Sequence, residues 1–220
     1  MTLIPLTPLT PLVTAIVGAA FAALVLARSR DHRRPYQVLW AVGLLLFAAA
    51  AGAGWLARSG SPTELEYRVF YLFGAVMNVA WLALGTLYLL VRRERARIAL
   101  VMVGALSLLG AYAVVATPID LAAAADNGRG FPDGSLPRVL AAIGSGVGSV
   151  ILVGGALSSA SLFVRKRHDG RRALGNLIIA AGVLVVAAGG TATFTGVSGV
   201  LELANLAGLC VMLAGFLLIG

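Results

Sequence analysis

The chain has 220 residues, of which 60% are hydrophobic and only 12% charged. A soluble domain is about half apolar and about a quarter charged, so this composition, carried in long uncharged runs, excludes an ordinary water-soluble domain and predicts a membrane protein. The net charge of +8 would point to nucleic acid in a soluble chain. Here the placement of the basic residues makes it a topology signal and argues against nucleic acid as a partner.

Met1 to Pro11 is uncharged, and Pro5, Pro8 and Pro11 recur every third residue, which predicts an extended lead-in. The first apolar run, near 12–27, has no positive charge before it, as a signal peptide would, and has Arg28, Arg30, Arg33 and Arg34 after it. It reads as a retained span. Span 2 lies near 36–57, with Trp40 and Trp55 towards its ends as interface anchors.

Span 3, near 67–91, is the least lipid-like of the apolar runs. Tyr67, Tyr71, Gly74, Asn78, Trp81, Gly85 and Tyr88 follow one another at spacings of four and three. On an α-helix they share one arc of roughly 100°. That face wants protein or a cavity; the opposite one, with Leu72, Val76, Val79 and Ala83, wants apolar packing.

Span 4, near 98–117, ends at Pro118, and about twenty residues lead to span 5. In this connection 119–125 reads as a short interfacial helix, and Asp126-Asn127-Gly128 and Pro132-Asp133-Gly134 are turn sequences. The favoured reading is a solvated loop; the functional alternative is a lid over a cavity. Span 5, near 138–164, carries small pairs four apart: Gly144 and Gly148, Ser145 and Ser149, Gly154 and Ser158. Such pairs let helices approach closely, within one chain or in a homo-oligomer. Spans 6 and 7 lie near 173–190 and 198–219. Each run is close to the ~20 residues that a ~30 Å hydrocarbon core requires.

The connections after spans 1, 3 and 5 hold 13 of the 17 basic residues, whereas Arg58, Arg68, Arg129 and Arg138 lie on the other side with six of the nine acids. Positive loops stay cytoplasmic, which puts the N-terminus outside and the C-terminus inside the plasma membrane. Spans 1–3 and 5–7 then share orientation, as a three-plus-one-plus-three parallel repeat requires. Three short alignments support it, among them Asn78-Val79-Ala80-Trp81-Leu82 with Asn205-Leu206-Ala207-Gly208-Leu209. Sites in such repeats lie at the repeat interface near mid-membrane. The plan, with an asparagine in spans 3 and 7, resembles that of the SWEET sugar transporters. Their proline–glutamine signature has no counterpart in spans 2 and 6, since Pro35 and Pro137 lie at span starts.

Polar groups in hydrocarbon are costly unless paired, so each is a candidate. Asn78 lies eleven residues from Tyr67, about 16 Å along an α-helix, and so near the bilayer centre. It is either an interhelical hydrogen-bonding amide or a ligand contact, and Asn205 poses the same choice. Glu202 is the one acid inside a predicted span. It reads as an interfacial carboxylate or as a proton or cation acceptor, with Arg68 or Tyr67 as its neighbours. Both histidines, His32 and His168, and the one lysine, Lys166, fall in basic loops. Ligated haem, an intramembrane zinc site, a serine–histidine dyad and a retinal Schiff base are thereby disfavoured. Cys210 has no partner for an internal disulfide.

The expectation is an all-α, seven-helix membrane bundle forming one domain. It is expected to be no enzyme and to hold no cofactor or metal, with membrane lipids as partners. Its function would be to bind and translocate a small neutral or weakly charged solute between spans 3 and 7, through Tyr71, Asn78, Trp81, Asn205 and Glu202. The second expectation is a membrane sensor or assembly module that binds without transport.

Overall fold

The computed structural model describes residues 9–28, 34–60, 62–127, 129–165, 170–195 and 199–219, the side chains of 125–127, 163–165 and 194 excepted. Residues 1–8 of the proline lead-in, Gly128, His32, Lys166 and His168 lie outside this set. The described residues contain no strand, and seven helices are long and apolar enough to cross a membrane. These place the chain among membrane proteins.

The spans are α1 (Thr10–Ala27), α2 (Pro35–Ser59), α3 (Glu64–Leu90), α4 (Arg93–Ala116), α6 (Leu136–Arg165), α7 (Gly170–Phe194) and α8 (Leu201–Ile219). A short α5 (Leu121–Asn127) lies in the connection between α4 and α6. Most helices begin a few residues before the apolar runs do. Hydropathy marks the hydrocarbon, whereas a helix continues as far as its caps allow. Pro11, expected in the extended lead-in, is in the first turn of α1, where a missing N–H costs nothing. At the start of α3 a capping box replaces two lost backbone bonds: Thr63 Oγ1 accepts from the Glu66 N–H at 3.3 Å, and Glu66 Oε2 accepts from the Thr63 N–H at 2.9 Å.

Six spans form a ring, α1–α2–α3–α6–α7–α8 and back to α1, and α4 packs outside it against α3 and α6. We call the end that carries the α4–α6 connection the loop end, and the opposite one the arginine end. Glycines set the spacing of two pairs in this ring. On α7, Gly175 and Gly182 are seven apart and meet Gly215 and Gly208 of antiparallel α8. A Cβ on Gly182 would lie 2.6 Å from the Gly208 carbonyl oxygen, and one on Gly208 equally close to that of Gly182. Gly175 and Gly215 oppose each other in the same way, at 2.8 and 2.7 Å. In lipid, helices associate through such backbone approach rather than through a hydrophobic effect. The second pair is α6 on α3: Gly144 abuts the Val76 carbonyl, and a Cβ on Gly148 would be 2.9 Å from Val79 Cγ1.

The arginine-end half of the ring is filled by Phe21, Ala22, Val25, Ala41, Leu44, Phe47 and Leu209. Trp40 is fixed beside this core: its indole N–H lies 3.1 Å from the Leu82 carbonyl and 3.2 Å from Thr86 Oγ1. Arg28 ties α1 to α8, donating to the Phe216 carbonyl at 3.1 Å with its guanidinium 4.5 Å above the Phe216 ring. A cation at a helix C-terminus is favourably placed.

Candidate functional site

Midway along α3 the helix departs from α geometry. Tyr71–Met77 is a π-helical segment, closed by a bond from the Asn78 N–H back five residues to the Phe73 carbonyl. π segments are rare and recur at functional sites. Each residue added to a turn swings everything downstream by roughly 100°. That shift separates Trp81 from the face on which uniform α geometry puts it. The wider turn also leaves carbonyls off the regular ladder, and one is taken up across the interface: Ser145 Oγ of α6 donates to the Ala75 carbonyl at 2.5 Å.

Beside the π segment is a cavity of about 520 Å³, walled by α2, α3, α6, α7 and α8. Tyr71, Asn78 and Asn205 all line it. Asn78 is 2% exposed. Its Oδ1 accepts from the Val79 N–H at 2.5 Å, and among the described residues its amide nitrogen has no protein partner. The orientation of the amide follows from that bond, because only the oxygen can accept. What Asn78 offers the cavity is therefore a donor. Asn205, half-buried one turn from Leu209, likewise has no side-chain hydrogen bond among the described residues. Ser149 of α6 and Thr191 of α7 add hydroxyls to an otherwise largely apolar wall.

The loop-end mouth is built of aromatic and cationic groups. Phe131, from the α4–α6 connection, is 2% exposed and packs edge-on to Tyr71 at 4.8 Å between ring centres and against Tyr67 at 5.5 Å. The connection is pinned there: the Gly130 N–H donates to Tyr67 Oη at 2.9 Å, and the Asp120 N–H to the Gly130 carbonyl at 2.9 Å. Pro132–Ser135 forms the expected turn, with Gly134 at φ +73°. The solvated-loop expectation thus fits the turn, while Phe131 makes the preceding residues a cap on the cavity. Arg129 and Arg138 also line this end; Arg138 is buried and ion-paired with Asp133, which is 82% exposed. Sequence reading missed Phe131 and both arginines, because their distance from span 3 is long in sequence. The arginine-end floor is Leu44, Phe47, Leu82, Val186, Leu209 and Met212, shared with the apolar core.

Two expected site residues lie elsewhere. Trp81 does not line the cavity; its indole N–H donates to Ser107 Oγ of α4 at 3.2 Å. Glu202 is ion-paired with Arg58 of α2, not with Arg68 or Tyr67. It borders a separate small crevice between α1, α2 and α8, which shares Ala51 and Asn205 with the main cavity. Arg68 instead caps α4, donating to the Val115 and Thr117 carbonyls at 3.1 Å each and to Glu64 at 3.1 Å. The Gly144–Gly148 face, open in sequence to intra-chain or oligomer packing, is occupied by α3. Among the described residues no group of three or more His, Cys, Asp or Glu side chains is disposed to hold a metal ion. No family model, no curated protein and no solved structure matches this chain.

Proposed function

We propose that the protein binds and translocates a small neutral or weakly charged solute through the cavity beside the π segment. One observation carries this reading: Asn78 is almost fully buried, lines a cavity of ligand size, and keeps its amide donors off the protein. An amide donor that reaches a cavity is open to a ligand acceptor, and a net hydrogen bond of this kind contributes about 0.5–1.5 kcal/mol. Ligand pockets of this class are mainly apolar with a few placed polar groups. The role is binding rather than catalysis, since the polar groups that meet the cavity are amides, hydroxyls and guanidiniums.

The arginine distribution supports an orientation with the loop end outside and the arginine end in the cytoplasm, within the plasma membrane. The ring order supports the parallel repeat: α3 lies against α6 and α8 against α1, the neighbours that a twofold exchange of halves α1–α3 and α6–α8 demands. A membrane sensor or assembly module is the second reading. The apolar floor favours it, because a cavity closed at one end binds without passage. Flux of a solute panel into proteoliposomes, against protein-free liposomes, separates the two. Saturable uptake of one solute supports transport; binding with no uptake of any supports the sensor.

A further inference from the structure

Resting on the reading that this cavity is a binding site, we propose its ligand class and route of access. The ligand is a single-chain amphiphile with an anionic head and an oxygen acceptor towards the other end of the chain. It enters sideways from the membrane between α6 and α7.

Shape comes first. Along α6 the lining runs from Arg138 to Leu152, and along α3 from Tyr67 to Leu82. Fourteen residues of α-helix rise roughly 21 Å, whereas a sphere of 520 Å³ would be only about 10 Å across. The cavity is a slot, suited to a chain rather than to a compact ring.

Polarity is arranged to match. The mouth holds the guanidiniums of Arg129 and Arg138, and the Asn78 amide donor lies deeper, above the apolar floor. Asn78 adjoins Val79, which packs on Gly148, ten residues along α6 from Arg138, or roughly 15 Å. Donors thus stand at the mouth and roughly two-thirds of the way down a mostly apolar slot, above its apolar floor. Arginine recognises carboxylate or phosphate through paired N–H groups. Arg138 keeps the partners it has, Asp133 among them with a side chain 82% exposed; a guanidinium carries five N–H donors, so a ligand anion can share it.

Access follows from exposure. Among the described lining residues, only Ala142, Gly146, Gly190 and Thr191 are exposed, and all four belong to α6 and α7. A Cβ built on Gly146 or on Gly190 meets nothing within 4 Å. The lining residues of α2 and α8 are buried or half-buried by comparison. The open side of the slot therefore faces the surroundings of two transmembrane helices, where an amphiphile is dissolved and a sugar is not.

The test is photolabelling of the full chain in phosphatidylcholine nanodiscs with a diazirine-bearing dodecanoate, adducts being mapped by mass spectrometry. Adducts are expected on the α6 and α7 segments carrying Ala142, Gly146, Gly190 and Thr191. ω-Hydroxydodecanoate should compete better than dodecanoate, and dodecyltrimethylammonium should not compete. Asn78→Leu should erase the preference for the hydroxylated chain. Gly146→Leu should fill the slot and cut labelling about tenfold, a change of about 1.4 kcal/mol in binding, without lowering the melting temperature. Arg138→Gln should remove the selection for an anionic head; if that variant fails to fold, Gly146→Leu still decides. Labelling spread over lipid-facing α4, or equal competition by the cationic amphiphile, would overturn the proposal. Competition by phosphatidylglycerol in the nanodisc would assign the site to a bilayer lipid and overturn the single-chain assignment. Flux of a neutral polar solute together with labelling confined to α4 would overturn this inference and leave transport standing. Labelling on α6 and α7 with no flux of any solute would support it and remove transport.

Discussion

Gly148 of α6 rests directly on the backbone of Val79: a Cβ there would lie 2.9 Å from Val79 Cγ1 and 3.0 Å from its carbonyl oxygen. Two residues earlier, Gly146 faces open space in the cavity. One short stretch of α6 therefore has a packing face and a cavity face, and the two glycines are not interchangeable.

The first expectation follows from that pair. Gly148→Leu should destabilise the protein by about 1–3 kcal/mol through overpacking against α3. Gly146→Leu should be neutral or slightly stabilising, because leucine is the better helix former by several tenths of a kcal/mol, roughly 0.5–1. Thermal unfolding of both variants in one detergent measures the difference. Equal melting temperatures would mean that α6 does not pack on α3 through Gly148.

How much of this was legible in the sequence varies with range. The seven spans were, because each is a run of apolar residues that needs no knowledge of its neighbours. The small-residue face of α6 was legible too, from Gly144 and Gly148 alone. Seven-residue spacing on α7 and α8, Gly175 with Gly182 and Gly208 with Gly215, stands in the sequence in the same way, but the pairing of one helix with the other does not. The place of Trp81 was not available. The π segment of Tyr71–Met77 is accompanied by a contact distant in sequence, the Ser145 bond to the Ala75 carbonyl, and nothing in the local pattern marks it. The partner of Glu202 was hidden for the same reason: Arg58 is 144 residues away in sequence, and only the ring of helices brings them together.

The second expectation concerns that pair. Arg58 is 47% exposed and Glu202 is 16% exposed at their side chains, so the ion pair is partly screened. Arg58→Gln and Glu202→Gln should each cost no more than about 1 kcal/mol, and the double variant about the same as either single one. Denaturation of the four proteins gives the coupling. A loss well beyond this range for Glu202→Gln alone would mark Glu202 as more than the partner of a surface arginine.

A third expectation addresses orientation. In a Cys210→Ser background, Arg95→Cys at the start of α4 should react only with membrane-permeant thiol reagents in intact cells. Ser59→Cys, at the exposed loop-end terminus of α2, should react with impermeant ones. The motive is the concentration of arginines at one end of the bundle. The reverse labelling would invert the topology.

The central claim is that Asn78 and Asn205 line a solute path, and flux is its most direct measure. Asn78→Leu removes the bond to the Val79 N–H, a structural loss of about 1 kcal/mol, and should leave a folded, monodisperse protein. In proteoliposomes that show saturable uptake with the parent protein, Asn78→Leu and Asn205→Leu should each abolish uptake while keeping a melting temperature close to the parent's. Uptake that persists in both variants, or early melting of both with no solute able to stabilise the parent protein, would contradict the claim and leave the two asparagines as structural amides.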